Sequence, residues 1–395
     1  MHVAELDRPW LGTPFPFQGF TIRSEQELAE LRALCEYVYV DVEPAPAAPR
    51  PRLTVLRSSD AQRRAGERLY RNSLEDELPN AADMYGHARV HVERLFGEVR
   101  LGHCLDVDAS REVVDALLQS IIRNPDALLL LSTLHEVNEQ AAAHSVQVCT
   151  LSLAFGRHMG LETEALSELG LGALLHDVGE TRLPAELLAR RGRLSPDEHR
   201  LLRSHAERGA AILRDTPKLP RSAADIAASH HERFDGEGYP QGLQGEAIPP
   251  FARIVAIVDM YEKLTGGSEP LRRLTAADAL KSMYEWRGRL FDAPLVERFI
   301  ECLGIFPIGS VVELETGEIG IVMATRPDQR LAPKLLIVRG HNKLPCEPPR
   351  ILDLALHAAG GTRRRIVQVH DAARFDIDVR SYVLRELPLA HAETS

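Results

Sequence analysis

From about residue 61 to about 303, apolar residues recur three and four apart, the period of helices that bury one face. "SREVVDALLQSIIRN" at 110–124 is a clear instance. A glycine-rich loop at 235–245 interrupts the helical texture. Beyond 306 the pattern changes. "GSVVELETGEIGIVMA" and "KLLIVRG" read as short strands, with Gly317 marking a hairpin, and together they predict a small β-barrel. At the other end, "FQGFTI" and "YVYVDVE" read as strands flanking a helix in "SEQELAELRALCEYV". Ser24 caps that helix, with Glu27 as its capping-box partner. "EPAPAAPRPR" places Pro44, Pro46, Pro49 and Pro51 in an extended linker.

These patterns predict a mostly α protein: a helical bundle with a small α/β N-terminal domain and a small β-rich C-terminal domain. The expected divisions are an N-terminal domain at 1–43, a linker at 44–60, a helical connector at 61–109, the main helical domain at 110–304 and the β-rich domain at 305–395. A chain of 395 residues is long for one core and suits two or three domains.

Composition narrows the classes. A net charge of −10 without a concentrated basic patch argues against a polymeric nucleic-acid surface. Apolar runs such as "ALLLL" at 127–131 are too short to span a bilayer. "MHVAELDRPW" lacks the apolar core of a signal peptide. Cys35, Cys104, Cys149, Cys302 and Cys346 are scattered, which suits a reducing compartment. The expectation is a cytoplasmic protein without membrane attachment.

The candidate chemistry lies in the helical middle. His144, His176, Asp177, His205, His230, His231 and Asp259 sit within or beside apolar helical patterns. One such histidine alone reads as a core residue with a hydrogen-bond partner. Seven such groups on helices that must pack together would leave many buried polar atoms unpaired unless a cation joined them. Imidazole with carboxylate suits iron, manganese or zinc, and the lack of thiolate argues against a structural zinc site. Neighbouring helical residues point about 100° apart, so His176 and Asp177 reach different metals or Asp177 bridges two.

"HDVG" at 176–179, the histidine at 205, "HHERFDGEGYPQGL" at 230–243 and "ARIVAIVDMYEKLT" at 252–265 resemble the HD-GYP family of HD-domain phosphohydrolases. The resemblance covers roughly residues 110–300, and the first 40 residues resemble a small domain found before some HD-GYP domains. It implies cyclic di-GMP as partner and substrate, hydrolysed with a hydroxide activated by a dinuclear centre of iron or manganese. It implies His144, His176, Asp177, His205, His230, His231 and Asp259 as ligands, with Asp177 bridging. Members with a third metal have a glutamate where this chain has Gln140, beside Glu139. A neutral amide is a poor ligand for a hard cation, so two metals are expected. Tyr239 is expected to contact the ligand.

Departures from the family pattern weaken the expected phosphate grip. Glu180 replaces a lysine, and "TGGSEPLRR" replaces an Arg-Pro-Tyr stretch, leaving Arg272, with Arg273 beside it, as the substrate cation. Glu262 replaces an aspartate and Lys263 a small residue. One expectation is an ion pair between Glu180 and Lys263 beside the metals, with Lys263 acting in catalysis as a partial replacement for the missing cation; the other is two solvated side chains on separate rims. The alternative is a catalytically weak or inactive module that senses nucleotide or binds signalling proteins through the GYP loop. Another nucleotide as substrate, and a homodimer, remain open.

Overall fold

The structure, a computed structural model, describes residues 2–6, 20–22, 29, 38–41, 71–134, 141–190, 192, 194–266, 274–325, 331–359 and 364–386. The expected helix capped by Ser24 and the linker at 44–60 lie outside the described residues. Near the N-terminus, β1 (His2–Leu6) lies between β2 (Phe20–Thr21) and β3 (Val38–Asp41) in an antiparallel sheet.

The helical body begins with α1 (Leu74–Arg100), α2 (Val107–Arg123) and α3 (Pro125–Ser132). Each starts at a polar residue that accepts a backbone N–H otherwise left without a helical partner. Ser73 accepts from Asp76, Asp106 from Ala109, and Asn124 from Asp126. The α2 stripe expected from the sequence is buried: Val114, Leu117, Leu118 and Ile121 face the core.

Next come α4 (Ala141–His158) and α5 (Thr163–Leu175), then a 3₁₀ turn at Val178–Arg182. Four shorter helices follow: α6 (Ala185–Leu188), α7 (Pro196–Arg203), α8 (His205–Arg214) and α9 (Arg221–Ser229). A Ser195–Glu198 capping box starts α7. The body closes with α10 (Pro250–Gly266), α11 (Ala276–Trp286) and α12 (Ala293–Leu303). Gly304, with φ 78, ends α12 in a conformation that favours glycine. No helix of the described residues is long and apolar enough to cross a membrane.

The C-terminal strands are β4 (Val311–Leu314), β5 (Ile319–Ala324), β6 (Lys334–Arg339) and β7 (Pro345–Asp353). A short α13 (Leu354–Ala359), β8 (Ile366–His370) and α14 (Val379–Glu386) complete the order. They form one antiparallel sheet in the order β7-β6-β5-β4-β8. Gly317, with φ 82, makes the β4–β5 hairpin as expected. Among the described residues the expected barrel is corrected to an open sheet, because β7 and β8 are its two edges. Strand β7 contains Pro345, Pro348 and Pro349, which hid it from a pattern search; an edge position tolerates the missing N–H groups. The sheet docks on the bundle where the Thr325 N–H donates to Asp126 at 3.0 Å and Lys334 pairs with Glu75.

Phe299 of α12 ties together the helices that frame the site. Its fully buried ring lies 5.1 Å from Phe155 of α4 and 5.3 Å from Tyr261 of α10. Phe299→Ala is expected to destabilise the fold by about 3–5 kcal/mol, read as a lower urea midpoint with an unchanged slope.

Candidate metal centre

Four helix ends and one helix interior meet at one buried spot. Helix α5 stops at Leu175, His176 caps it, and Asp177 leaves helical geometry with φ −98 and ψ 13. Helix α9 stops at Ser229, with His230 as its cap and His231 next. His205 opens α8, while His144 sits in the first turn of α4 and Asp259 in the middle of α10. The carbonyl ends of α5 and α9 therefore face the site, where their partial negative charge favours cations.

Glycine permits the close approach that this needs. A Cβ on Gly179 would overlap the His205 carbonyl oxygen and lie 2.5 Å from the Gly209 nitrogen. The turn carrying Asp177 thus rests directly on the backbone of α8.

The seven expected residues come together as two adjacent groups: Asp177, His205, His230 and His231 in one, and His144, His176 and Asp259 in the other. Asp177 touches both. Its Oδ1 lies 3.3 Å from Nε2 of His205 and 3.3 Å from Nε2 of His230. Its Oδ2 lies 3.1 Å from Nε2 of His176 and 3.5 Å from Nε2 of His144. Asp259 Oδ1 faces His144 Nε2 at 3.1 Å.

The histidines are turned so that Nε2 points inward. The Nδ1–H of His176 donates to Ala173 O at 2.8 Å, that of His205 to Leu202 O at 2.7 Å, and that of His230 to Ala227 O at 3.1 Å. His144 Nδ1–H donates instead to Glu262 Oε2 at 2.5 Å. The Nε2 atoms of His231 and His205 approach to 3.1 Å. His144 Nε2, His176 Nε2, Asp177 Oδ1 and Asp259 Oδ1 are buried and make no hydrogen bond. Buried donor atoms converging without partners are what a cation site requires, so this set fits a metal.

The charges agree. Burial works against ionisation of Asp177, yet the surrounding histidines hold its carboxyl well below the usual range. Burial pushes His230 down to about 4 and, with His230 beside it, His231 well below its ordinary value. Burial also opposes charge on His144 and His205, but Glu262 beside the first and Asp177 beside both hold them above the ordinary value, so it is His230 and His231 that stand in the neutral form that ligates.

The GYP loop lies over one side. Glu232 is buried and accepts the backbone N–H groups of Gln241 at 2.7 Å and Leu243 at 3.0 Å. Tyr239 stacks on His231 with centroids 4.6 Å apart, and the Arg203 guanidinium lies 5.1 Å from the Tyr239 ring. Tyr239 therefore sits at the site. Lys263 does too, but with a different partner from the one expected: its Nζ donates to Asp259 Oδ2 at 2.7 Å. Among the described residues no ion pair joins Glu180 to Lys263. The helix containing His176 ends before Glu180, so four-residue spacing no longer places the two on one face. Glu180 instead has its pKa raised by burial and by the Asp177 charge. Gln140, Glu139, Arg272 and Arg273 lie outside the described residues.

Sequence reasoning assigned no role to Glu232, Arg203 or Glu262. The first follows the paired histidines directly, and the last shares the Asp259 face of α10, so both left a signal. Arg203 left none.

A family model described as an HD domain matches residues 129–295, and a domain of unknown function, DUF3391, matches residues 1–110. The chain is 33% identical over 368 residues to the cyclic di-GMP phosphodiesterase PA4108 of Pseudomonas aeruginosa, across 92% of this chain and 88% of that one. The chain belongs to the HD-GYP family. It is also 38% identical over 143 residues to RpfG, a cyclic di-GMP phosphodiesterase response regulator of Xanthomonas campestris, a match covering 36% of this chain and 38% of that one. The solved structure of Bd1817, an HDG"Y"P protein from Bdellovibrio bacteriovorus, matches with a TM-score of 0.48 and 23% identity over 60% of this chain and 76% of that one. Across this HD-GYP chain the sequence motifs and the buried histidine and aspartate cluster coincide.

Metal uptake has a proton signature. Burial disfavours the His176 charge, but Asp177 and Asp259 prevail and hold its pKa up at about 9 in the metal-free protein. At pH 7 His176 therefore carries a proton that a metal must displace; well above pH 9 it does not. Calorimetric titration with Mn²⁺ in buffers of different ionisation enthalpy should show protons released at pH 7 and fewer released above pH 9.

Proposed function

We propose that this chain is a metal-dependent phosphodiesterase acting on cyclic di-GMP, with two divalent ions, iron or manganese, held by His144, His176, Asp177, His205, His230, His231 and Asp259. The observation that carries the reading is Asp177, whose two oxygens face two separate groups of nitrogens. A bridging carboxylate suits a pair of cations about 3.5–4 Å apart. Such cations supply positive charge to a phosphodiester and make hydroxide available near neutral pH. The likeness to curated cyclic di-GMP phosphodiesterases supports the substrate.

The chain's own groups then have distinct tasks. The Lys263 side chain is 41% exposed; what desolvation it meets opposes its charge, but Asp259 and Asp177 keep the amine protonated, its pKa above the ordinary range. It is a cation beside the site that can share its protons between Asp259 and a phosphate oxygen. Tyr239, packed on His231, offers a ring face to a base or a ribose. Arg272 is the second phosphate cation in this reading, and a cytoplasmic location goes with it.

Metal analysis combined with a hydrolysis assay tests the reading. Anaerobically purified protein should hold about two ions per chain, and cyclic di-GMP should be cleaved with iron or manganese. Asp177→Ala should lose metal as well as turnover. Three ions per chain, or metal retained in Asp177→Ala, would overturn the assignment.

One observation favours a weaker or purely binding module. Glu180 places a half-buried carboxyl beside Asp177 where a lysine is usual in the family. When ionised it repels phosphate. If the site hydrolyses cyclic di-GMP, Glu180→Gln should lower KM by about threefold to tenfold, the size of a like-charge contact of roughly 1 kcal/mol. The metal content should stay the same. Cyclic di-GMP binding in equilibrium dialysis without any cleavage by either protein would favour the sensor reading.

A further inference from the structure

We propose that Glu262 is the positioning residue for the His144 side of the metal centre, and that Gly266 is glycine because it makes room for the Glu262 carboxylate. The proposal rests on the metal-site reading above and extends it to two residues that bind neither metal nor substrate.

His144 differs from its neighbours. His176, His205 and His230 are each anchored through Nδ1 to a carbonyl of the preceding helical turn. His144 is anchored across the site, to Glu262 of α10 at 2.5 Å. Its side chain is also less enclosed, 18% exposed against 0% for His176 and 5% for His205. Packing alone therefore restrains this ring least, and the carboxylate restrains it most. With Nδ1–H donated to Glu262, the Nε2 lone pair faces Asp259 and Asp177, the direction a metal would occupy. Glu262 lies three residues after Asp259, so α10 presents a ligand and the group that aims a second ligand from one face.

Gly266 explains how a glutamate fits. It is four residues beyond Glu262 on the same face, at the end of α10. A Cβ there would overlap Glu262 Oε1. The backbone at Gly266 does not need glycine, because its φ is not in the left-handed region. Helix propensity favours alanine at such a position. The space, and not the backbone, is what the glycine supplies. A Cβ at 266 would overlap Oε1 and crowd the carboxyl carbon of the flexible Glu262 side chain, and the carboxylate it would shift is the one whose Oε2 holds His144.

The test measures Mn²⁺ affinity and stoichiometry of the full chain by chelator competition, with melting of the metal-free protein alongside. Gly266→Ala should weaken one of the two ions by about tenfold or more, the usual size of such an outer-shell loss. Its metal-free melting temperature should hold or rise. Glu262→Gln should weaken the same ion without that gain. Glu262→Asp, one methylene shorter, leaves position 266 clear, so adding Gly266→Ala to it should cost no further affinity. Wild-type Mn²⁺ binding in Gly266→Ala or in Glu262→Gln would overturn the proposal. Equal losses from Gly266→Ala in the wild-type chain and in the Glu262→Asp variant would do the same, since they point to a general helix effect. If Gly266→Ala does not fold, Glu262→Gln decides. Failure of the wild-type chain to bind Mn²⁺ would sink the metal-site reading itself, a result distinct from any of these.

Discussion

The arrangement depends on one carboxylate placed between two groups of imidazoles. Asp177 is buried, and a buried carboxylate is costly unless charge or hydrogen bonds meet it on every side. Here four histidine Nε2 atoms surround its two oxygens at 3.1–3.5 Å. In turn the inward Nε2 atoms of His144 and His176 are buried without a hydrogen-bond partner. Neither half is tolerable in an apolar core by itself. A bound cation would resolve both, which is why the site is better read as built for metal than as a polar flaw in the bundle.

The bundle bends to provide this point. Helices α5 and α9 stop at the site instead of passing it, and the residues that cap them, His176 and His230, turn their imidazoles into it. The 3₁₀ turn after Asp177 can sit against α8 only because residue 179 has no side chain. Packing further out, such as the Phe155, Tyr261 and Phe299 cluster, fixes the distance between α4 and α10, and so between His144 and Asp259. The electrostatic demand at the centre and the apolar contacts around it thus set the same helix positions.

The cations around the site already have partners within the protein. Lys263 is committed to Asp259 at 2.7 Å, and Arg203 stands over Tyr239. Glu180 adds a carboxyl near Asp177. The intact ligand set and the altered charge around it are separate features. The first concerns metal, and the second concerns how strongly a phosphodiester is held.

The sequence by itself determined the fold class, the seven grouped residues and the family. Helical periodicity marks buried faces, and histidines and acids set into such faces stand out because burial makes them costly. Hairpins with glycine in the turn were legible for the same local reason. Strand β7 was not, since its prolines are acceptable only at a sheet edge, and edges exist only once strands are ordered. Only the tertiary structure decided that α5 ends at His176, that Lys263 pairs with Asp259, and that Glu262 reaches His144 from another helix, 118 residues away in the chain. Those outcomes depend on distances between helices packed from distant segments, and spacing along one helix carries no information about them.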